Sequence, residues 1–218
     1  MTDSSTPIPH RNEHSMSVGR AAAFSDGVFA IAMTLLVLSL AIPASQSKSA
    51  AELERALRDQ TPGLISYALS FAVLGRYWMA HHQFMRLVAR VTDGFLTCTL
   101  LFLGVVVLVS FPTDVLGNAS GSAVTVAAIF YALVIGSVGA TFALLEYYAY
   151  RKALLFDERA ARLRWSIAKV LVAPTVFFVS ILIAVFAGGR AAMWTWVAII
   201  PAGIVVERLS RARMPDAS

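Results

Sequence analysis

No charged residue interrupts the chain between Gly27 and Ile42, and the apolar segment containing that run begins at Met16. A segment of this kind matches the hydrocarbon core of a bilayer, about 30 Å thick, which an α-helix crosses in about 20 residues. Further apolar segments follow at 63–86, 94–111, 124–147, 165–187 and 193–206. In lipid every backbone polar group must be satisfied internally, so such segments are helices. The pattern predicts an all-α integral membrane fold with six transmembrane helices per chain. Composition agrees: 58% of the 218 residues are hydrophobic and 14% are charged, where a soluble domain carries about a quarter charged residues. A secretory signal is the competing reading of the first segment, with Arg11 and Arg20 before it and Ala41-Ile42-Pro43-Ala44 after it. The run is longer than an ordinary h-region of about 7–15 residues and opens beside Asp26, which favours a helix that is retained.

Around these spans the chain divides simply. Residues 1–16 are polar, contain Pro7 and Pro9, and read as a disordered cytoplasmic tail. Residues 17–211 form one six-helix transmembrane domain, and 212–218 form a second tail. After Pro43 a polar stretch places Glu54 four residues before Arg58, as on a short solvated helix. Pro62 suits the start of the second span, Pro112 closes the third, and Gly188-Gly189-Arg190 makes the turn before the sixth. Arg151 to Arg164 is a basic connection between the fourth and fifth spans, and Pro174 is a candidate kink in the fifth.

Six spans put both termini on one side. Thirteen of the basic residues then fall on the terminal side and four on the other, with Arg76 left inside the second span. The positive-inside rule assigns both termini to the cytoplasm of a multi-pass cell-membrane protein. The same asymmetry accounts for the net charge of +5 without nucleic acid as a partner. One cysteine, Cys98, excludes an intramolecular disulfide. His10 and His14 at i, i+4 are too few for a metal site, so neither a metal nor a cofactor is expected.

Ionisable groups within a span are costly unless they are paired, so each one marks a structural or functional site. Asp26 lies six residues past Arg20, about 9 Å deeper. On the antiparallel second helix His81 and His82 lie four and five residues before Arg86, at comparable depth, and Trp78 shares a related face. These groups can meet as a polar clasp between the two helices, as a proton- or ion-sensing group, or as ligands. Adjacent histidines diverge by about 100° on a helix, which weighs against one metal taking both. No H-E-x-x-H and no nucleophilic Ser-His-Asp order appears, so an enzyme is not expected.

Beyond Asp26, the residues Ile31, Leu35 and Leu38 fall within about 60° of one another on the first helix. Thr34 borders this stripe, Phe24 continues it, and Asp26 points about 140° away from Ile31. One face is thereby free to line something while the other is anchored; packing or lipid contact is the ordinary alternative.

The run Arg20-x-x-x-Phe24-Ser25-Asp26-Gly27-Val28-Phe29-Ala30-Ile31-Ala32-x-Thr34-Leu35-Leu36-Val37-Leu38 resembles the first-helix signature of the transmembrane protein 175 family of potassium channels. The stretch W-M-A-H-H-Q-F from Trp78 to Phe84 is similar to the family's second helix, and Phe111 to Gly117 to the end of its third. About 120 N-terminal residues carry the likeness, while the last three helices match in number and hydropathy. The resemblance implies a potassium-permeable cation channel without a T-V-G-Y-G selectivity loop. Because the F-S-D motif occurs once, it implies a homotetramer, each chain giving its first helix to a central pore. Ile31 would form the narrowest ring, Leu35 and Leu38 further rings, and Thr34 a hydroxyl near the constriction. Arg20, Ser25 and Asp26 would face the supporting helices, joined by Trp78 and His81 or His82. Where members carry an asparagine early in helix three, this chain reads Phe95-Leu96-Thr97-Cys98-Thr99, with a threonine as the nearest substitute.

The implied partners are potassium and other monovalent cations, further copies of the chain, and the bilayer. A secondary ion transporter and a proton-permeable channel are the alternatives. The transporter would show inverted repeats and helices broken near the midplane, and of these only Pro174 and Pro201 are present.

Overall fold

The computed structural model describes residues 13–40 and 49–197. Among them the architecture is all helical: α1 (Glu13–Leu35) with a 3-10 extension (Leu36–Leu40), α2 (Ala50–Asp59), α3 (Thr61–Met85), α4 (Asp93–Leu108), α5 (Ser110–Asn118), α6 (Ala123–Arg151), α7 (Asp157–Ala187) and α8 (Gly189–Val197). Val18–Leu40, Asp93–Asn118 and Ala123–Arg151 are each long and apolar enough to cross a membrane, and Leu171–Ala187 is a shorter apolar helix. The 25 residues of α3 are equally long, but they include Arg76, His81 and His82.

Several boundaries differ from the expectation, each for a local reason. Helix α1 begins at Glu13, inside the tail expected over 1–16; residues 1–12 and the tail 212–218 lie outside the described residues. Pro112 does not close the third span, because it falls in the first turn of α5, where a missing N–H costs little. The helix instead shifts register at Val109, whose N–H donates to Val106 O at 3.2 Å, and continues to Asn118. Helix α7 starts at Asp157, within the stretch read as a connection, because the extended backbone of the chain ends at Phe156 and turns helical directly after it. Gly188, with φ of +87°, breaks the chain before α8. The expected continuation of the sixth span to Val206 lies outside the described residues.

The polar stretch after Pro43 folds as foreseen. Ser49 caps α2 by accepting from the Glu52 N–H at 3.3 Å, and Arg58 pairs with Glu54 on its exposed face.

Helix α6 is the centre of the molecule and packs against α3, α4, α5, α7 and α8. Glycines set its closest approach to α7. A Cβ on Gly136 would meet the Phe178 ring at 2.9 Å, and one on Gly139 would meet Pro174 Cδ at 2.7 Å. Small residues at such crossings let helices approach closely where the hydrophobic effect gives no net drive. Two aromatic clusters fill the interior. Phe29, His81, Phe102 and Phe142 form one, with ring centroids 5.1–6.1 Å apart. Tyr131, Phe177 and Trp196 form the other.

Candidate pore-lining face and its supporting cluster

Helix α1 packs against α3 and α4, and its two sides differ sharply. Ala21, Ser25, Phe29, Ala32 and Leu36 are buried in the interior, at i, i+4, i+8, i+11 and i+15. Facing away from it, Arg20, Ala23, Phe24, Gly27, Ala30, Ile31, Thr34, Val37 and Leu38 form one continuous exposed stripe. Ile31 is 59% exposed and Leu38 68%. Leu35 is half-buried at the edge of the stripe. The 3-10 extension, with three residues per turn, brings Val37 onto the exposed side next to Leu38.

Thr34 donates its hydroxyl proton to Ile31 O at 2.8 Å. Its oxygen therefore keeps lone pairs that are not committed to the helix, on the exposed stripe one turn beyond Ile31.

Behind the stripe, Trp78 Nε1 donates to Asp26 Oδ1 at 2.9 Å, joining α1 to α3. His82, exposed, lies against the Trp78 ring with centroids 5.9 Å apart. His81 turns the other way. It is buried between Phe29, Phe102 and Phe142, stacked on Phe102 at 5.5 Å, and its Nε2 has no hydrogen-bond partner among the described residues. The expected cluster is thus divided, as the roughly 100° between neighbouring helical positions requires. Trp78 meets the acid, His82 meets Trp78, and His81 belongs to the aromatic interior.

Ser25 donates to Ala21 O at 2.9 Å and is fully buried, on the supporting side. Arg20 is not among the supporting groups in this structure. It is exposed, on the same side of α1 as Phe24 and Ile31. Eleven residues separate it from Ile31, which puts the two within about 20° on a helix.

One polar group of residues has no counterpart in the sequence reading. Ser70 Oγ lies 2.7 Å from Thr113 Oγ1 and 3.0 Å from Tyr131 OH, and Ser66 Oγ donates to Thr113 O at 3.2 Å. This buried network joins α3, α5 and α6. Its only trace in the sequence is the spacing of Ser66 and Ser70 one turn apart on α3. Among the described residues no His, Cys, Asp and Glu group could hold a metal ion.

An all-helical fold with several helices long and apolar enough to cross a membrane, its first helix held to α3 through a Trp–Asp contact, is that of a multi-pass membrane protein. Residues 20–110 match the family profile described as endosomal/lysosomal potassium channel TMEM175. A Streptomyces collinus protein named as a potassium channel is 37% identical over 187 residues, covering 81% of this chain and 90% of its own length. A Chamaesiphon minutus potassium channel is 40% identical over 100 residues, 46% of this chain and 49% of that protein. The crystal structure of a lysosomal potassium-selective channel TMEM175 homolog from the same organism superposes with a TM-score of 0.62 at 31% identity, covering 84% of this chain and 98% of that one. A single-residue variant of the potassium channel MtTMEM175, crystallised with a nanobody fusion protein, shares the fold, with a TM-score of 0.65 at 20% identity over 97% of this chain and 99% of that one. The human endosomal/lysosomal proton channel TMEM175 is 37% identical over 98 residues, 41% of this chain and 19% of its own length. The chain belongs to the TMEM175 family, a family of multi-pass membrane channels and not of enzymes.

Proposed function

We propose that the chain is a potassium-permeable cation channel in which four copies surround one axis and each turns the exposed stripe of α1 toward it. In this reading α1 with its 3-10 extension, α3, α4 with α5, α6, α7 and the segment starting at α8 make six crossings, with both termini cytoplasmic. The observation that carries it is the division of α1. One side, centred on Phe29 and Leu36, is locked into the interior; the other, from Phe24 through Ile31 to Leu38, is uncovered in the single chain. The potassium-channel names of bacterial relatives support the choice of ion.

Four Ile31 side chains around the axis form an aliphatic ring that repels water, so the pore closes by dewetting and conducts when the ring widens. The Thr34 oxygens, their protons engaged by the backbone, are placed to replace hydration water around a dehydrating cation. Leu38 makes a further ring, and Leu35, half-buried, contributes less than Leu38. The Trp78–Asp26 hydrogen bond fixes the rotation of α1, which holds the stripe on the axis.

Potassium flux from liposomes containing the Ile31→Asn variant tests the reading. A polar ring wets the constriction, so basal flux rises severalfold; unchanged flux assigns the pore to another face. Saturable uptake coupled to a counter-ion identifies a transporter instead, and flux that follows a proton gradient alone identifies a proton channel.

A further inference from the structure

We propose that Arg90, Arg151 and Lys152 form a docking surface for the anionic headgroups of the adjoining lipid leaflet. The inference uses the membrane crossing of α6 and is independent of which face of α1 lines the pore.

Three observations converge on it. First, the 29 residues of α6 span about 44 Å, well beyond the roughly 30 Å hydrocarbon core, so the turn containing Tyr147, Tyr150 and Arg151 emerges at headgroup level. Tyr147 and Tyr150 are exposed there, in the position of an interfacial aromatic belt. Second, the three cations stand on a fixed base. Ala153, with φ of +49°, turns the chain back. The Ala89 and Arg90 N–H groups then donate to Leu154 O at 2.8 and 3.2 Å, and the Phe156 N–H donates to Leu87 O at 3.1 Å. Val88 and Leu155 pair beneath, both buried. This clasp brings the α3–α4 connection against the α6–α7 connection. Arg90 Nη2 donates to the backbone O of Ala153, the residue after Lys152, at 3.2 Å. Third, all three side chains are exposed, and the hydrogen bond that the Arg90 guanidinium makes goes to a backbone carbonyl rather than to a carboxylate. Asp93, the acid of the same connection, opens α4 in its first turn.

Exposed cations at headgroup depth attract anionic lipid, each multiplying affinity by roughly fivefold, so three give on the order of a hundredfold. A preorganised base keeps the ordering cost of that contact small.

The test compares retention of phosphatidylglycerol against phosphatidylcholine by the purified full chain in mixed micelles, read by native mass spectrometry. The wild type prefers phosphatidylglycerol, and R90Q/R151Q/K152Q loses that preference on the order of a hundredfold. The R151Q/K152Q pair, whose exposed side chains take no part in the backbone clasp, keeps the wild-type melting temperature and loses most of the preference. Equal preference in wild type and both variants overturns the proposal. Displacement of the lipid by equimolar glycerol 3-phosphate also overturns it, because the surface then recognises soluble phosphate. Loss of lipid preference with normal potassium flux leaves the pore assignment standing; unchanged flux in Ile31→Asn with normal lipid preference leaves this one standing.

Discussion

Helices α1 and α6 are almost equally apolar, yet 61% of the α6 span is buried inside the chain and only 22% of the α1 span. The difference lies in how many sides each presents to neighbours. Helix α6 carries Ala127, Tyr131, Ile135, Val138, Phe142 and Leu145 inward and is enclosed by five other helices. Helix α1 packs along one edge, against α3 and α4. Apolar character alone therefore does not separate a helix that organises the fold from one that is free to line a pore.

Substitution of an aromatic residue on each helix probes this contrast most strongly. Phe142→Ala, which empties the centre of a stacked cluster, costs about 3–5 kcal/mol in unfolding measured in micelles. Phe24→Ala, on the exposed stripe, stays within about 0.5 kcal/mol. Comparable losses would mean that α1 is as deeply integrated as α6.

A smaller effect is expected at the joint between α1 and its support. Asp26→Ala removes the acceptor of the Trp78 indole and lowers stability by about 0.6–2 kcal/mol, with reduced tetramer yield on size exclusion. Combining it with Trp78→Phe adds little beyond the worse single variant, because both remove one bond. Additive losses would show that the two side chains act separately.

The smallest effect separates two leucines. Leu38→Ala alters single-channel conductance and leaves the melting temperature near wild type, while Leu35→Ala does the reverse, following exposed against half-buried placement. Equal conductance changes would recentre the stripe on Leu35.

Much of the first helix is legible in its residues. The period of α1 separates Ile31, Thr34 and Leu38 from Asp26, and the structure exposes the first three and turns Asp26 toward α3. Leu35 falls at the edge because the exposed residues of α1 centre on the Gly27 and Thr34 side of Ile31, and the 3-10 extension then carries Val37 onto that exposed side. Motif membership groups Arg20 with the supporting residues, although its helical phase matches Ile31. By spacing both histidines can approach Asp26, and only packing distinguishes them, since Phe29, Phe102 and Phe142 come from three different helices to enclose His81. The Ser70, Thr113 and Tyr131 contacts join residues far apart in the chain, and no local spacing announces such a meeting.

The sequence by itself determined that the chain is a helical membrane protein, where its apolar helices run, and which motif begins the first of them. These follow from local properties: run length against bilayer thickness, and the obligation of each backbone group to bond within its own helix. Tertiary structure decided which side of each helix is covered. Lipid and protein interior are similarly apolar, so hydropathy does not choose between them. The choice falls to shape, in the Gly136 and Gly139 crossing that draws α7 onto α6 and in the Trp78–Asp26 bond that leaves the other side of α1 open.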